Sequence, residues 1–539
     1  MFCIFPALVL AQGNSLAQLI DQKISKMTLE EKVGQLFIVG FPYIKMDRNL
    51  ETFVTTYKPG SFLLFKRNIR SAEQIKTLNG ELYQLAYKTS HLPPLIAIDQ
   101  EGGAVSRLPI NPAPPNALAI GQTQSPLLAE ELGYQTGLFL REVGFNMNLA
   151  PVLDVADPFG MSFIGVRSFG ADPKLVKEIG VAYSKGLLRA QVIPTAKHFP
   201  GTGDLKADPH ASVVSNSSTI STLKKKDLVP FEGYSSLGTN IAVMLSHSIY
   251  PALDESREPA SFSPKISTEL LRKYLKYQGL VITDDLQMKG SRTLLRPELA
   301  ALKAIKAGAD IVMLTWSFED QQKAINTVRL AVKNGEITEP ELKEKLRRIL
   351  TAKAFANIYR RDPSLPSLIS SGGLSSEAYT NLEDKVLAEN IRTNLITKRL
   401  PQANKDRNPA SIPFVCAFSP SRDFLNGFKS KMIQKVSIRR LQSTSSSLDV
   451  TKNAPLNRCP IVLIGVTGKK TAAILKSLPL DIKKRTVVVN LTAPGLVPKE
   501  QPYRRVIQLY FNHKDSGKKI AEQFTEILSN DTENFAGLN

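Results

Sequence analysis

Cysteine is nearly missing from this chain: Cys3, Cys416 and Cys459 are the whole complement among 539 residues. Three thiols build no disulfide framework, and no two form a Cys-x-x-Cys pair, which speaks against a structural zinc site. Cys416 and Cys459 lie in the apolar runs PFVCAF and RCPIVLIG, the setting of a small buried hydrophobe. Histidine is scarce as well, five in all, with no His-x-His pair and no His-Glu-x-x-His, so the metal-hydrolase motifs are missing. No metal and no cofactor are expected. No stretch reaches the ~20 apolar residues of a membrane span. The one phosphate-loop fragment, GVTGKK at 465–470, lacks the GxxxxGK[ST] spacing.

Basic residues are plentiful. Lys plus Arg number 69 against 49 for Asp plus Glu, a formal net charge of +20. Residues 371–539 hold 26 basic and 14 acidic residues, so +12 of that excess sits in the last third. Such a balance first suggests nucleic acid. No nucleic-acid module is recognisable and aromatics do not interleave with the basic residues, so no nucleic-acid partner is expected. A solvated face, or one turned toward an anionic glycan, accounts for the charge. A hydrophobic fraction of 42% suits a globular chain. Residues 1–14, within MFCIFPALVLAQGNS, form a signal-like segment without a basic n-region, leaving localisation open between a bacterial cytoplasm and export to the periplasm.

From residue 30 to about 315, eight short apolar runs alternate with segments of helical period: Leu36–Phe41, Ser61–Phe65, Leu95–Asp99, Asn146–Val152, Val192–His198, Ile241–His247, Leu280–Asp284 and Asp310–Leu314. They lack strict alternation, as strands buried on both faces should. The intervening helices include Ser125–Val143, Pro173–Ala190 and Ser263–Tyr277, then two within 318–356, the second with Thr338 and Glu341 spaced as a capping box. The pattern predicts a (β/α)8 TIM barrel over 15–359 rather than an open doubly wound sheet. Residues 360–376 have linker composition. Residues 377–539 predict a smaller α/β sandwich, with strands Phe414–Phe418, Val436–Ile438, Ile461–Gly465, Val487–Leu491 and Val506–Tyr510, and helices that include Lys470–Leu478 and Ser516–Leu528.

Barrel function gathers at the C-terminal strand ends. There this sequence sets Asp99 and Glu101, Asp154 and Asp157, Lys197 and His198, His247, and Asp284 and Asp285 in turn. Any single one of these could instead be closing a loop. Together with Arg107 and Arg167 they suit a polyhydroxylated ligand, since carboxylates accept and cations donate to sugar hydroxyls. Glycoside cleavage needs a group that captures an oxocarbenium-like centre and another that protonates the leaving oxygen. A carboxylate suits the first role, and histidine supplies the second without tuning.

The segments AIDQEGGAVSRL (97–108), APVLDV (150–155), IGVRSFGADP (164–173), KHFPGTGDLKADPH (197–210) and VITDDLQMKG (281–290) resemble, in order and spacing, the motifs of glycoside hydrolase family 3, in particular its NagZ-type β-N-acetylglucosaminidases. The resemblance implies a retaining exo-enzyme that releases terminal β-linked GlcNAc from peptidoglycan (muropeptide) fragments. It implies Asp284 as nucleophile, His210 as general acid and then base, and Asp208 as the carboxylate that orients His210. It assigns Asp99, Arg107, Arg167, Lys197 and His198 to the sugar, with His247 and Asp285 in support. Family 3 β-glucosidases lack the Asp-x-His dyad. A β-glucosidase, a GlcNAc phosphorylase and a catalytically impaired glycan-binding protein stay open as alternatives. Two positions depart from the family pattern: Thr202 replaces the second His of KHFPGHG, and Pro209 replaces Ser inside the dyad. Oligomeric state is beyond the sequence.

Overall fold

The computed structural model describes residues 15–157, 162–203, 205–206, 213–288, 294–357, 368–370 and 373–396, residue 475, and the strand segments 414–419, 435–440, 461–466, 486–490 and 505–508. Asp208 and His210 therefore lie outside the described residues. So do the signal-like segment and nearly all of the two helices expected at 470–478 and 516–528.

Eight parallel strands close into a barrel: β1 Phe37–Val39, β2 Ser61–Leu64, β3 Leu95–Ile98, β4 Met147–Asn148, β5 Ile193–Phe199, β6 Ala242–Leu245, β7 Leu280–Asp285 and β8 Ile311–Leu314. Closure comes from β1 against β8, with Ile38 opposite Met313. The expectation of an α/β TIM barrel is met, and for the expected reason. Every residue of β1, β2, β3 and β5 is buried, so both faces demand apolar side chains or satisfied polar ones. β4 is shorter than its apolar run. Beyond Asn148 the pairing with β5 continues outside the strand: Thr195 and Lys197 N–H donate to the Ala150 and Pro151 carbonyls at 2.9 and 3.1 Å, and Leu153 N–H donates to the Lys197 carbonyl at 2.7 Å.

The helices begin where their caps are written. Ser125 accepts from Leu128 N–H and Pro126 opens the helix Pro126–Glu142. Thr338 and Glu341 bond reciprocally ahead of Glu339–Asn357. The helix expected over 263–277 is shorter, Lys265–Tyr274, and wound with wider i→i+5 turns. Pro126–Glu142 packs tightly on Pro173–Arg189, because Gly186 lets the backbones meet: a Cβ there would lie 1.9 Å from the Glu130 carbonyl.

Beyond the barrel, β9 Ile369–Ser370 and β10 Gly373–Leu374 pair antiparallel, and Leu374 is buried where it exchanges bonds with Pro109 and Asn111. The helix Glu377–Ile396 follows and lies along the barrel. Its Tyr379 meets Phe139 edge-on at 5.1 Å, and Asn390 donates to the Ala119 carbonyl at 2.8 Å. Five further strands, β11 Phe414–Ser419, β12 Lys435–Arg440, β13 Ile461–Val466, β14 Thr486–Asn490 and β15 Arg505–Gln508, form one parallel sheet in the order β12-β11-β13-β14-β15.

Candidate active site

The C-terminal mouth of the barrel holds two connected polar clusters. The first is centred on Glu101, just past β3. Arg167 grips its carboxylate with Nε and Nη2, both at 2.8 Å, and Lys197 Nζ lies 2.7 Å from the same group. Lys197 also donates to Asp99 at 2.8 Å, and Arg107 Nη2 stands 4.0 Å from Asp99. Burial alone would raise the Glu101 carboxyl, but Lys197 and Arg167 outweigh it and hold the group well below the usual carboxylate range. Burial likewise opposes the Lys197 ammonium, and Asp99 with Glu101 reverses that and raises it. An ammonium has three N–H donors. Among the described residues, two of them meet carboxylates. Gln100 shapes the loop that carries Arg107, its Oε1 accepting from the backbone N–H of Arg107 and of Leu108. Arg107 Nε is buried without a hydrogen-bond partner among the described residues, a donor in want of an acceptor.

The second cluster is Asp154 with His198. His198 Nδ1 lies 2.7 Å from Asp154 Oδ2, so a proton on Nδ1 is held and Nε2 is the ring's remaining hydrogen-bonding atom. Backbone N–H groups of Thr202 and His198 also donate to this carboxylate, at 2.6 and 3.3 Å. Asp154 is fully enclosed. Its burial pushes the carboxyl up, and His198 and Thr202 pull it below its ordinary value. Thr202 contributes through its backbone, so the replacement of histidine there leaves this contact intact. Gly201 makes the turn possible: its φ is +126°, and a Cβ would meet Asp227 at 2.6 Å.

On β7 the two adjacent aspartates part company. Asp284 is the one residue of the strand reaching solvent, and its Oδ1 accepts from the Asp285 backbone at 2.8 Å. Asp285 turns into the wall, where Thr315 hydroxyl and Gln287 N–H donate to it. Burial, aided by the charge of Asp284, pushes Asp285 up to about 6 against those two donors. His247 supports the same point: Nε2 donates to the Asp285 carbonyl at 3.2 Å while Nδ1 meets Ser261 Oγ at 2.8 Å.

The structure thus joins Asp99, Arg107, Arg167 and Lys197 in one network, pairs His198 with Asp154, and sets His247 and Asp285 behind Asp284. Asp208 and His210 lie outside the described residues. Glu101, a strand-end carboxylate outside the expected sugar contacts, is the hub that fixes Arg167 and Lys197. Its signal was position, two residues beyond Asp99. Among the described residues, no group of three or more His, Cys, Asp or Glu is arranged to hold a metal ion, and no helix is long and apolar enough to cross a membrane.

The profile of the family described as "Glycosyl hydrolase family 3 N terminal domain" matches residues 28–352. The chain is 29% identical to "Beta-hexosaminidase A" of Pseudoalteromonas piscicida over 404 residues, which is 69% of this chain and 67% of that one. It is 33% identical to "Beta-hexosaminidase" of Nitrosomonas eutropha over 300 residues, 52% of this chain and 83% of the relative. Among solved structures, a glycoside hydrolase family 3 β-N-acetylglucosaminidase from Paenibacillus sp. superposes with a TM-score of 0.78 at 26% identity, over 93% of this chain and 97% of that one.

Proposed function

The chain belongs to glycosyl hydrolase family 3, and from that premise we propose that it is a retaining exo-β-N-acetylglucosaminidase acting on terminal β-linked GlcNAc in peptidoglycan fragments. That it is a glycoside hydrolase of the β-N-acetylhexosaminidase kind rests on the relatives named above. The observation that carries the finer reading is the Asp99–Lys197–Glu101–Arg167 network, which presents fixed donors and acceptors to a sugar at the mouth that Asp284 faces.

In the proposed reaction Asp99, Arg107, Arg167, Lys197 and His198 bind the GlcNAc unit. Asp284 attacks its anomeric carbon and forms a glycosyl ester as the bond to the aglycone oxygen breaks. His210, oriented by Asp208, gives that oxygen its proton. Water then attacks the anomeric carbon from the face the aglycone left, His210 takes its proton, and the bond to Asp284 breaks to release the carboxylate, so configuration is retained. Arg167 fixes Glu101, which with Asp99 holds Lys197 in place. Asp154 fixes the His198 ring, and His247 steadies the end of β7.

The test is turnover of 4-nitrophenyl β-GlcNAc beside the β-glucoside, and of GlcNAc-anhydro-MurNAc. Asp284→Ala should abolish activity. His210→Ala should slow substrates with poor leaving groups far more than those with good ones. Hydrolysis of the glucoside alone, or activity that survives Asp284→Ala, overturns the reading. GlcNAc-1-phosphate formed in phosphate buffer would replace hydrolysis by phosphorolysis.

A further inference from the structure

Trp316 is the single tryptophan of the chain, and it stands 61% exposed just beyond β8. An indole left so open loses the gain of burial. Yet it is held firmly. Its backbone N–H donates to Gln287 Oε1 at 2.7 Å. The Arg67 guanidinium sits 4.3 Å from the Trp316 ring and 4.3 Å from the Phe65 ring. Arg67 in turn donates to the carbonyls of Thr315 and Phe41. Phe65 and Trp316 lie 6.1 Å apart at a tilt of 29°. The result is a built aromatic rim, with one cation in contact with both rings.

The place of this rim connects it to the site. Thr315, the residue before it, bonds Asp285, whose backbone bonds Asp284. In the closed barrel the polar network comes from β3, β4 and β5, while β7 and β8 lie across the mouth. A sugar whose hydroxyls sit in the network has its reducing side turned away from β3, β4 and β5, the side of the mouth on which β8 lies. The apolar C–H face of a pyranose is the natural cover for an exposed indole.

We propose that Trp316 is the stacking platform for the aglycone sugar, so that the preferred substrate carries a pyranose on the reducing side of the scissile bond. This rests on the reading of Asp284 as nucleophile. Arg67 and Phe65 act as positioning residues that hold the indole in place at the end of β8.

Because no other tryptophan is present, its emission reports on this site alone. Wild-type protein would be titrated with free GlcNAc and with the S-linked β-1,4 GlcNAc disaccharide, which it holds without cleaving. The disaccharide should shift or quench the emission and free GlcNAc should not. Trp316→Ala should lower kcat/KM about tenfold for the O-linked disaccharide and less than twofold for methyl β-GlcNAc, a spread set by one aromatic stack. Trp316→Phe should recover most of the loss, which separates lost stacking from a damaged rim. Emission that responds equally to GlcNAc, equal losses on both substrates, or no loss on either overturns the proposal. If no β-N-acetylglucosaminide is cleaved at all while the disaccharide still moves the emission, the catalytic reading fails and the platform stands.

Discussion

The Nζ atom of Lys197 lies 2.7 Å from Oε1 of Glu101, with both side chains closed to solvent at 3% and 4% exposure. Arg167 completes the charge balance on the other edge of that carboxylate. Taking away one member of a buried ion network leaves its partners charged and unpaired. Glu101→Gln should therefore cost about 3–5 kcal/mol at pH 7, read by urea denaturation. Because Glu101 is held below its ordinary value, its contribution is full above about 4.5 and is lost as the pH falls toward the folded value. The deficit of the variant should narrow in acid. A deficit that stays constant from pH 7 to 3 would contradict the assignment.

Asp154 fixes the His198 ring from one side. Asp154→Asn keeps a carbonyl oxygen for the Thr202 backbone but sets an amide NH2, itself a donor, against Nδ1–H. In metal sites, the loss of a carboxylate that orients a histidine costs about 10–100-fold. The expected result is a fall of that size in kcat/KM on the β-GlcNAc glycoside, with a melting temperature near that of wild type.

Thr202 meets Asp154 through its backbone N–H. Thr202→Ala should accordingly leave kcat/KM within about threefold, and Thr202→Pro, which removes that N–H, should lose most activity. A large loss in the alanine variant would show that the side chain itself is needed.

Asp285 is pushed up to about 6 from an ordinary 3.8, chiefly by burial. A folded value above the unfolded one means that the stabilising contribution is full below about 3.8 and is lost as the pH rises through about 6. Asp285→Asn removes that titration. Its stability between about pH 4 and 6 should fall by about 3 kcal/mol less than that of wild type, measured by denaturation across the range. Equal slopes would exclude the burial of Asp285 as described.

Much of the barrel was legible because its signals are local. Runs such as LIAI and AVML are apolar at every position, as strands with two buried faces must be. Ser125 with Pro126, and Thr338 with Glu341, mark helix starts within four residues. Asp284 and Asp285 could be separated by the strand's period of two, since neighbours on a strand face opposite ways. The places where reading failed are also physical. β4 ends at Asn148, short of an apolar run that continues to Val152, and the helix after Ser263 winds more widely than its pattern foretold.

The sequence by itself determined the order of strands and helices, the caps, and which strand ends carry charge, because each depends on residues a few positions apart. Only the tertiary structure decided who meets whom at the mouth. Lys197 and Asp99 are 98 residues apart, and Arg67 and the Thr315 carbonyl are 248 apart. Closing the barrel brings such groups together, and there the burial that penalises each charge is offset by the neighbour that the closure delivers. Glu101 became the hub of the site, and Trp316 part of its rim, for that reason: their roles are set by what the closed barrel places beside them.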